Sequence, residues 1–318
     1  MSDLRLRDAT LDDVAFVSDV STLVRPSSPN DPAVLRYEWE HPQDSWVLRR
    51  FIALADDRPA GWSVYAHPRW NRAPRAFGSI GADLLPDLRT SESLASLIRS
   101  TEERLVAAGA GTVEISANED DPVRSAAIIA LGYREDRRSK RWELDLVANR
   151  EPLIAMAEES RERMRRQGVR LLTLADDDDP QRIEKIWRMS SEADEDVPST
   201  LPHVEETVDD YLRWFGQPDI REDRVWLARE GDAIVGISLL GYPPVRGVVG
   251  THWTATARAV RGRGIARAVK CETIAQAISL GVDRVRTGND AQNDPILHIN
   301  ASMGYKQIAG RISYLKDA

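Results

Sequence analysis

The decapeptide RGRGIARAVK, residues 261–270, places two glycines between a predicted strand and a predicted helix. In the segment before it, GVVGTHWTATARAV (247–260), apolar and polar residues alternate and β-branched residues are frequent, which is typical of a strand. The segment IARAVKCETIAQAISLG (265–281) is rich in alanine and ends at a glycine, which predicts a helix. The glycines therefore lie at a strand-to-helix turn.

A turn of this kind can bind an anion. Gly262 and Gly264 have no side chains, so several backbone N–H groups can converge at the positive end of the helix dipole. Arg261 and Arg263 add positive charge beside them. A turn that only starts the helix is the alternative, but two glycines flanked by arginines are more than such a turn needs.

Known phosphate-binding patterns narrow the choice of anion. The dinucleotide pattern G-x-G-x-x-G fails because position 267 is arginine, and the phosphate-loop pattern G-x-x-x-x-G-K-[ST] is absent. The pattern that fits is R-x-x-G-x-A, formed by Arg261, Gly264 and Ala266. The turn thus depends on one glycine and one small residue rather than on a full dinucleotide fingerprint.

Length and charge limit the class of protein. At 318 residues the chain is long enough for two domains of about 150 residues each. With 42% hydrophobic and 30% charged residues, the composition predicts a soluble globular protein. The formal net charge of −8 disfavours nucleic acid as a partner, because no overall field attracts phosphate backbones.

Cysteine usage and hydropathy point to an intracellular protein. Cys271 is the only cysteine, which excludes an internal disulfide, and no His or Cys cluster has zinc-site spacing, so no metal is predicted. The N-terminus, MSDLRLRDATLDDV, has no apolar run of signal-peptide length, and the sequence contains no stretch of eighteen consecutive apolar residues. We therefore expect a cytoplasmic location and no membrane partner.

An approximate repeat, with a period of about 170 residues, runs through the chain. FIALADDRPAGWSVY (51–65) parallels VWLAREGDAIVGISL (225–239), and each predicts a hairpin. ANEDDPVRSAAIIALGYREDRRSKRWELDL (117–146) parallels GNDAQNDPILHINASMGYKQIAGRISYLKD (288–317). Both of these run through a strand end, Asp-Pro, a helix, Gly-Tyr and a strand. The chain therefore contains two similar halves.

The halves predict two tandem domains of α+β class, each with a mixed, mostly antiparallel sheet flanked by helices. The segment NREPLIAMAEESRERMRRQG (149–168) is charged and helix-prone, which is typical of an ordered linker. We accordingly expect a first domain at 1–150, a helical linker at 151–168 and a second domain at 169–318.

The second half resembles the Gcn5-related N-acetyltransferase (GNAT) superfamily, whose acetyl-CoA motif [QR]-x-x-G-x-[GA] stands between a strand and a helix. The resemblance includes NDAQNDPILHINASMGY (289–305), with an asparagine before the last helix and Gly304-Tyr305 after it. It covers 169–318 well and the first half more loosely. The two-half layout is similar to tandem acetyltransferases of the mycothiol-synthase kind.

The resemblance implies acetyl-CoA as co-substrate and direct attack of a primary amine on the thioester in a ternary complex. It implies these cofactor-binding residues: Arg261, Gly262, Arg263, Gly264, Ile265, Ala266, Thr254, Ala255, Thr256 and Asn293. The backbone amides of the loop would hold the CoA pyrophosphate, and the strand residues would pair with pantetheine. Asn293 would contact the CoA arm.

The first half lacks the loop. Arg89 matches the first motif position, but Glu92 and Leu94 stand where the second half has Gly264 and Ala266. A carboxylate and a bulky side chain replace the phosphate-facing glycine and the small residue. We therefore expect the first half to bind CoA poorly or not at all, and the second half to carry catalysis.

The candidate general base is His252, the one titratable side chain of the predicted strand. Imidazole titrates at about pH 6.5, which suits the task. Relatives often use a strand glutamate or a water instead, and a structural role for His252 is the alternative. A backbone N–H near Thr256 and Ala257 is expected to polarise the thioester carbonyl.

The general acid cannot be assigned to one side chain from the sequence. Relatives often carry a tyrosine four residues before the glycine of the last motif, and this chain has Asn300 there. Asparagine cannot act as a proton donor of this kind, so water, bulk solvent or another tyrosine such as Tyr314 must protonate the CoA thiolate.

The acceptor is expected to be a small-molecule amine, and a cationic one fits the acidic segment 189–214. The candidate acceptor-binding residues are Glu205, Glu206, Asp209 and Asp210. Their charge would concentrate a cation near the site, whereas a solvated pair of helices is the alternative. The alternative function is a non-catalytic acyl-CoA sensor, which the missing tyrosine and strand glutamate favour.

Overall fold

The computed structural model describes residues 4–318. The first half of this part of the chain contains six strands and four α-helices: β1 (Arg5–Asp8), α1 (Val14–Val24), α2 (Pro32–Glu40), β2 (Trp46–Ala55), β3 (Arg58–Pro68), β4 (Phe77–Leu84), α3 (Ser91–Ala107), β5 (Thr112–Asn118), α4 (Pro122–Ala130) and β6 (Arg134–Asp145).

Helix α5 (Arg150–Arg166) follows, where the sequence predicts a helical linker. The second half contains β7 (Arg170–Thr173), α6 (Arg182–Asp194), α7 (Val208–Phe215), β8 (Val225–Glu230), β9 (Ala233–Gly241), β10 (Gly250–Thr256), α8 (Ile265–Ser279), β11 (Arg284–Asp290), α9 (Asp294–Ser302) and β12 (Lys306–Asp317). The two halves thus follow the same order of elements.

All the described strands form one twelve-stranded sheet with the order β1-β2-β3-β4-β5-β12-β6-β11-β10-β9-β8-β7. The pairs β4–β5 and β10–β11 are parallel, and the other neighbours are antiparallel. The predicted α+β class with a mixed, mostly antiparallel arrangement is therefore confirmed.

The halves exchange their last strands. Strand β12 of the second half lies between β5 and β6, and β6 of the first half pairs with β11. The sequence predicts one sheet in each half, and the structure corrects this to a continuous sheet. The boundaries of the two domains stay a prediction.

Both predicted hairpins are present. In β2–β3 the turn residues Asp56 and Asp57 have φ values of 48° and 60°, and in β8–β9 Gly231 has φ 59°. Left-handed turn residues give a backbone twist that matches the twist of the flanking strands. Glycine and aspartate accept this conformation more readily than most residues do.

Helices cover both faces of the second half. On one face, Leu153 of α5, Cys271 of α8 and Met303 of α9 pack with Leu240 of β9. We call this the α8 face. On the other, the α6–α7 face, the core of α6 and α7 packs against β8, β9 and β10, including Leu239. Leu239 and Leu240 point to opposite faces, as successive strand residues must.

Helix α5 runs antiparallel to α8. Leu153 near its start shares a core with Ile278 near the end of α8, and Met164 near its end shares one with Ile265 at the start of α8. The end of α5 therefore lies beside the predicted anion-binding turn. Among the described helices, none combines the length and the hydropathy needed to span a bilayer.

Candidate active site

A cleft opens between the parallel strands β10 and β11. Among the described residues, the two strands are paired only at Gly250 and Arg286, and beyond that point they form no further pair. The amide of Ala257 donates to the carbonyl of Val235 on β9, so two-residue alternation turns the amide of Thr256 toward the cleft. We call this opening, with its closed end at Gly250, the second-half cleft.

Of the three strand residues that the sequence names for pantetheine, two turn their amides toward the cleft. By the same alternation the backbone amide of Thr254 also faces the opening, whereas the side chain of Ala255 packs in the α6–α7 core. The amide of Ala257 already donates to β9, so of the two amides that the sequence names for polarising the carbonyl, that of Thr256 is the one that faces the cleft.

The glycine turn joins β10 to α8 at the open end of the cleft. Gly262 has φ 78° and Gly264 has φ 88°, both left-handed, and Gly264 is the residue that precedes α8. A Cβ atom at Gly262 would meet nothing within 4 Å. No side chain of the described residues caps α8, so the amides of Ile265 and Ala266 are available to a ligand.

The two arginines of the turn are already paired with acidic side chains. Arg261 Nη1 lies 2.6 Å from Asp196, and its Nε donates to the carbonyl of Thr256. Arg263 lies 2.9 Å from Glu230. These two pairs offset the positive charge that the sequence assigns to the turn.

A cation that the sequence analysis missed lies beside the turn. The guanidinium carbon of Arg163 is 3.1 Å from the Cβ position at Gly264. Arg163 belongs to α5, is exposed, and has no ion-pair partner within residues 4–318. The linker helix therefore supplies a free positive charge at the turn.

The described part of the first half has no equivalent opening, because the side chain of Arg124 fills it. Strands β4 and β5 are paired from Phe77 to Ile80. Beyond that, the buried Arg124 donates to the carbonyl of Ala82 on β4 and to that of Ser116 on β5. One guanidinium thus bridges the two strands where the second half is open.

Acidic side chains stabilise the buried guanidinium of Arg124. Burial lowers the pKa of Arg124 to about 10, and the buried carboxylate of Asp83 lies 3.9 Å away. Arg89, the residue that matches the first motif position, bonds Asp83 at 2.7 Å and Asp121 at 2.5 Å. Leu94 is completely buried in the first-half core. At the motif positions of the first half, Arg89 and Leu94 are therefore engaged inside the protein, whereas Glu92 is exposed.

A pocket of about 210 Å³ lies on the α6–α7 face beside β10. Trp214 of α7 and Trp253 of β10 form apolar walls, and His252 lies at the same end. Asp194 of α6 and Glu206 contribute carboxylates. The pocket can therefore surround a small molecule with both aromatic and acidic groups.

His252 stands at an irregularity in β10 and is oriented by a buried carboxylate. The register of the β9–β10 pairing shifts between Thr251 and Trp253. His252 Nε2 lies 2.7 Å from Asp219 Oδ2, and the Asp219 side chain is 6% exposed. The second ring nitrogen has no hydrogen-bond partner among the described residues, so it can accept a proton from a group in the pocket.

The two pocket carboxylates are partly shielded from water. Burial raises the pKa of Glu206 and that of Asp194. Gln43, from the first half, donates to Glu206 at 3.3 Å, and His203 lies 2.9 Å from Asp194. The first half therefore helps to build the acidic wall of the pocket.

Comparisons with known proteins agree with this geometry at the level of the fold. No family model and no curated protein sequence matches the chain. Among solved structures, a tandem GNAT protein from the clavulanic acid biosynthesis pathway superimposes with a TM-score of 0.75 at 15% identity, over 99% of this chain and 98% of that one. The chain has the tandem GNAT fold.

Two further structures with the GNAT fold cover nearly all of the chain. A GCN5-related N-acetyltransferase from Sphaerobacter thermophilus gives a TM-score of 0.65 at 18% identity, over 99% of this chain and 96% of its own. A GNAT-family acetyltransferase from Colwellia psychrerythraea gives 0.60 at 12% identity, over 99% and 100%. At these identities the likeness establishes the GNAT fold alone.

Within the GNAT fold, the predicted acidic residues separate. Glu206 lines the pocket, whereas Glu205 and Asp209 are exposed outside it. Asp210 is buried and accepts hydrogen bonds from the hydroxyl of Ser45 and the amide of Asp44 in the first half. Asp210 therefore joins the halves, and it is not free to attract an acceptor.

The structure does not bring Tyr314 to the pocket. Strand β12 pairs Tyr314 with Ile115 of β5, and its ring is buried in the first-half core. This position follows from the strand exchange and gives no support to Tyr314 as a proton donor.

Asn293 directly precedes α9, after the end of β11, across the cleft from β10. Within residues 4–318, no group of His, Cys, Asp and Glu side chains has the arrangement of a metal site.

Proposed function

We propose that the protein is an acetyl-CoA-dependent N-acetyltransferase whose second half transfers acetyl to a primary amine. The observation that carries the proposal is the second-half cleft, which runs from an uncapped glycine turn to a strand irregularity at His252. The turn amides suit the pyrophosphate, and the unpaired amides of Thr254 and Thr256 suit the pantetheine arm. We also propose the cytoplasmic location that the sequence predicts.

In this proposal, catalysis depends on how the pocket and the cleft position the acceptor amine, His252 and the thioester. The acceptor amine lies in the pocket, and His252 takes a proton from its ammonium while Asp219 holds the ring. The neutral nitrogen attacks the thioester carbon, and the C–S bond breaks. Cleft-facing amides of β10 stabilise the negative charge that develops on the carbonyl oxygen.

The acceptor is, in this proposal, a small amine that carries a second positive charge. Asp194 and Glu206 would pair with that second charge, and Trp214 and Trp253 would contact the carbon chain or ring between the two nitrogens. Because burial raises the pKa of both carboxyls, acceptor binding should weaken as the pH falls and the carboxyls take up protons.

Release of CoA thiol in the presence of a panel of monoamines and diamines tests the proposed function. We expect turnover, a product heavier by one acetyl group in the mass spectrum, and a lower KM for diamines than for monoamines of equal length. Tight acetyl-CoA binding without turnover on any amine would support the sensor alternative. Absence of acetyl-CoA binding would overturn both.

The linker helix is expected to contribute to acetyl-CoA affinity through Arg163. Arg163→Gln removes the unpaired cation beside the turn, and we expect the Kd of acetyl-CoA to rise about fivefold to tenfold, more at low salt. Calorimetric titration at two salt concentrations measures it. Arg165→Gln is the matched control, because Arg165 lies 2.8 Å from Glu162 and is exposed. Equal affinities for both variants and the wild type would contradict this role.

A further inference from the structure

Lys270 is a fully buried lysine in the middle of α8. Its side chain is 1% exposed, and its ammonium nitrogen has no partner among the described residues. Lys270 lies on α8, four residues after Ala266, so both residues belong to the same side of the helix. A stripe of α8 thus leads from the glycine turn to a buried amino group.

The amino group lies at the closed end of the second-half cleft. Lys270 Nζ is 5.1 Å from the centroid of the Tyr305 ring, and the Tyr305 phenol lies against Thr251. Thr251 directly follows Gly250, the last residue at which β10 is paired with β11. The contacts Lys270–Tyr305–Thr251 therefore place the amine where the strands begin to separate.

The amine and the candidate base lie on opposite faces of one strand. Thr251 contacts Tyr305 on the α8 face, whereas the next residue, His252, lines the pocket on the α6–α7 face. A thioester held at the closed end of the cleft would have the imidazole on its acceptor side. On its other side it would have the amine of Lys270.

We propose that Lys270 donates the proton that the CoA thiolate takes up when the C–S bond breaks. This inference rests on the proposed function. The N–C bond forms, the C–S bond breaks with its electron pair left on sulfur, and the sulfur takes a proton from the Lys270 ammonium. The acceptor ammonium loses one proton to His252 before the attack and a second proton to solvent after the N–C bond has formed. Solvent then takes the proton from His252 and returns one to Lys270, so both groups are restored.

The environment of Lys270 suits proton donation. Burial lowers the pKa of Lys270 to about 7, below the value of about 8.5 of an ordinary thiol, so proton transfer to a thiolate is downhill. Tyr305 and Cys271 are the titratable groups beside it. The neighbouring carboxylate, Glu272, turns toward α5 and lies 2.6 Å from Arg161. Asn300, at the position where relatives often carry the acid, cannot take this role.

Lys270→Met tests the proposal. We expect kcat to fall about a hundredfold, as for loss of a general acid, while the Kd of acetyl-CoA changes less than twofold. In the wild type, kcat should fall as the pH rises above about 7, because the donor must be protonated; the variant should lose this basic limb. Lys270→Arg keeps the charge but not a transferable proton, so it should stay slow, whereas a purely electrostatic role would be rescued.

The matched control is Lys306→Met, an exposed lysine at the start of β12, which should leave kcat and the pH profile unchanged. Thermal melting checks that each variant folds. If Lys270 variants do not fold, the wild-type profile alone decides: a kcat that is flat from pH 7 to 10 overturns the proposal. A Lys270→Met enzyme with wild-type kcat also overturns it. Wild-type protein that binds no acetyl-CoA, or binds it without turnover, would instead remove the proposed function.

Discussion

Gly264→Glu is expected to abolish acetyl-CoA binding, with a rise in Kd of more than about a hundredfold, or 2.7 kcal/mol. Gly264 has φ 88°, where a side chain is strained by about 1–2 kcal/mol. The new carboxylate would also lie beside Arg163 and pair with it, since the Cβ position is 3.1 Å from the guanidinium carbon. The positive charge of Arg163 would then be neutralised, and a carboxylate would lie at the amides that receive the pyrophosphate. Calorimetric titration with acetyl-CoA measures the loss.

One further variant distinguishes the effect of backbone strain from that of the added charge, and another tests whether the first half can gain a binding site. Gly264→Ala adds the strain without the charge, so it should bind acetyl-CoA with intermediate affinity. Glu92→Gly restores a motif residue in the first half, and it should create no second binding site because Arg124 still bridges β4 and β5. Wild-type affinity in a folded Gly264→Glu protein would contradict the assignment of the turn to pyrophosphate.

Local features of the fold could be predicted from the sequence. The hairpins, the glycine turn and the start of α8 depend on short-range patterns: alternation, left-handed turn residues and a glycine before an alanine-rich segment. Gly262 and Gly264 both adopt the positive φ that the turn requires. The sequence alone also predicts that the first half has lost the motif, because Glu92 and Leu94 stand where the motif requires a glycine and a small residue.

Pairing between the halves could not be predicted in this way. Strands β6 and β12 are repeats of each other, and the periodicity of a strand is the same whichever neighbour it pairs with. Tyr314 was chosen as a candidate acid on the assumption that β12 stays in its own half. The exchange instead buries Tyr314 among residues of the first half.

Contacts across long sequence separations account for the other differences. Asp219 and His252 are 33 residues apart, and Asp219 follows no motif that would connect them. The acidic segment showed where charge is concentrated but not which side chains turn inward, so Asp194 was missed and Asp210 was assigned to the acceptor. Arg124 carries no motif signal either, because its role depends on two strands that only the fold brings together.

His252→Gln is expected to lower kcat by about a hundredfold or more while the Kd of acetyl-CoA stays within twofold. Glutamine can keep a hydrogen bond to Asp219, but it cannot take a proton from the acceptor. Discontinuous assays of thiol release at saturating amine give kcat, and calorimetry gives the Kd. His298→Gln, an exposed histidine on α9, is the matched control and should behave as the wild type.

Asp219→Asn distinguishes a base held by a carboxylate from a histidine with a purely structural role. The amide would no longer stabilise a protonated imidazole, and it can favour the wrong ring tautomer, so we expect kcat to fall by an intermediate factor of about ten or more. If His252 only fills space, both substitutions should change melting temperature rather than kcat. An unchanged kcat in a folded His252→Gln enzyme would assign the proton of the acceptor to water in the pocket, where Glu206 and Asp194 remain as the groups that position the amine.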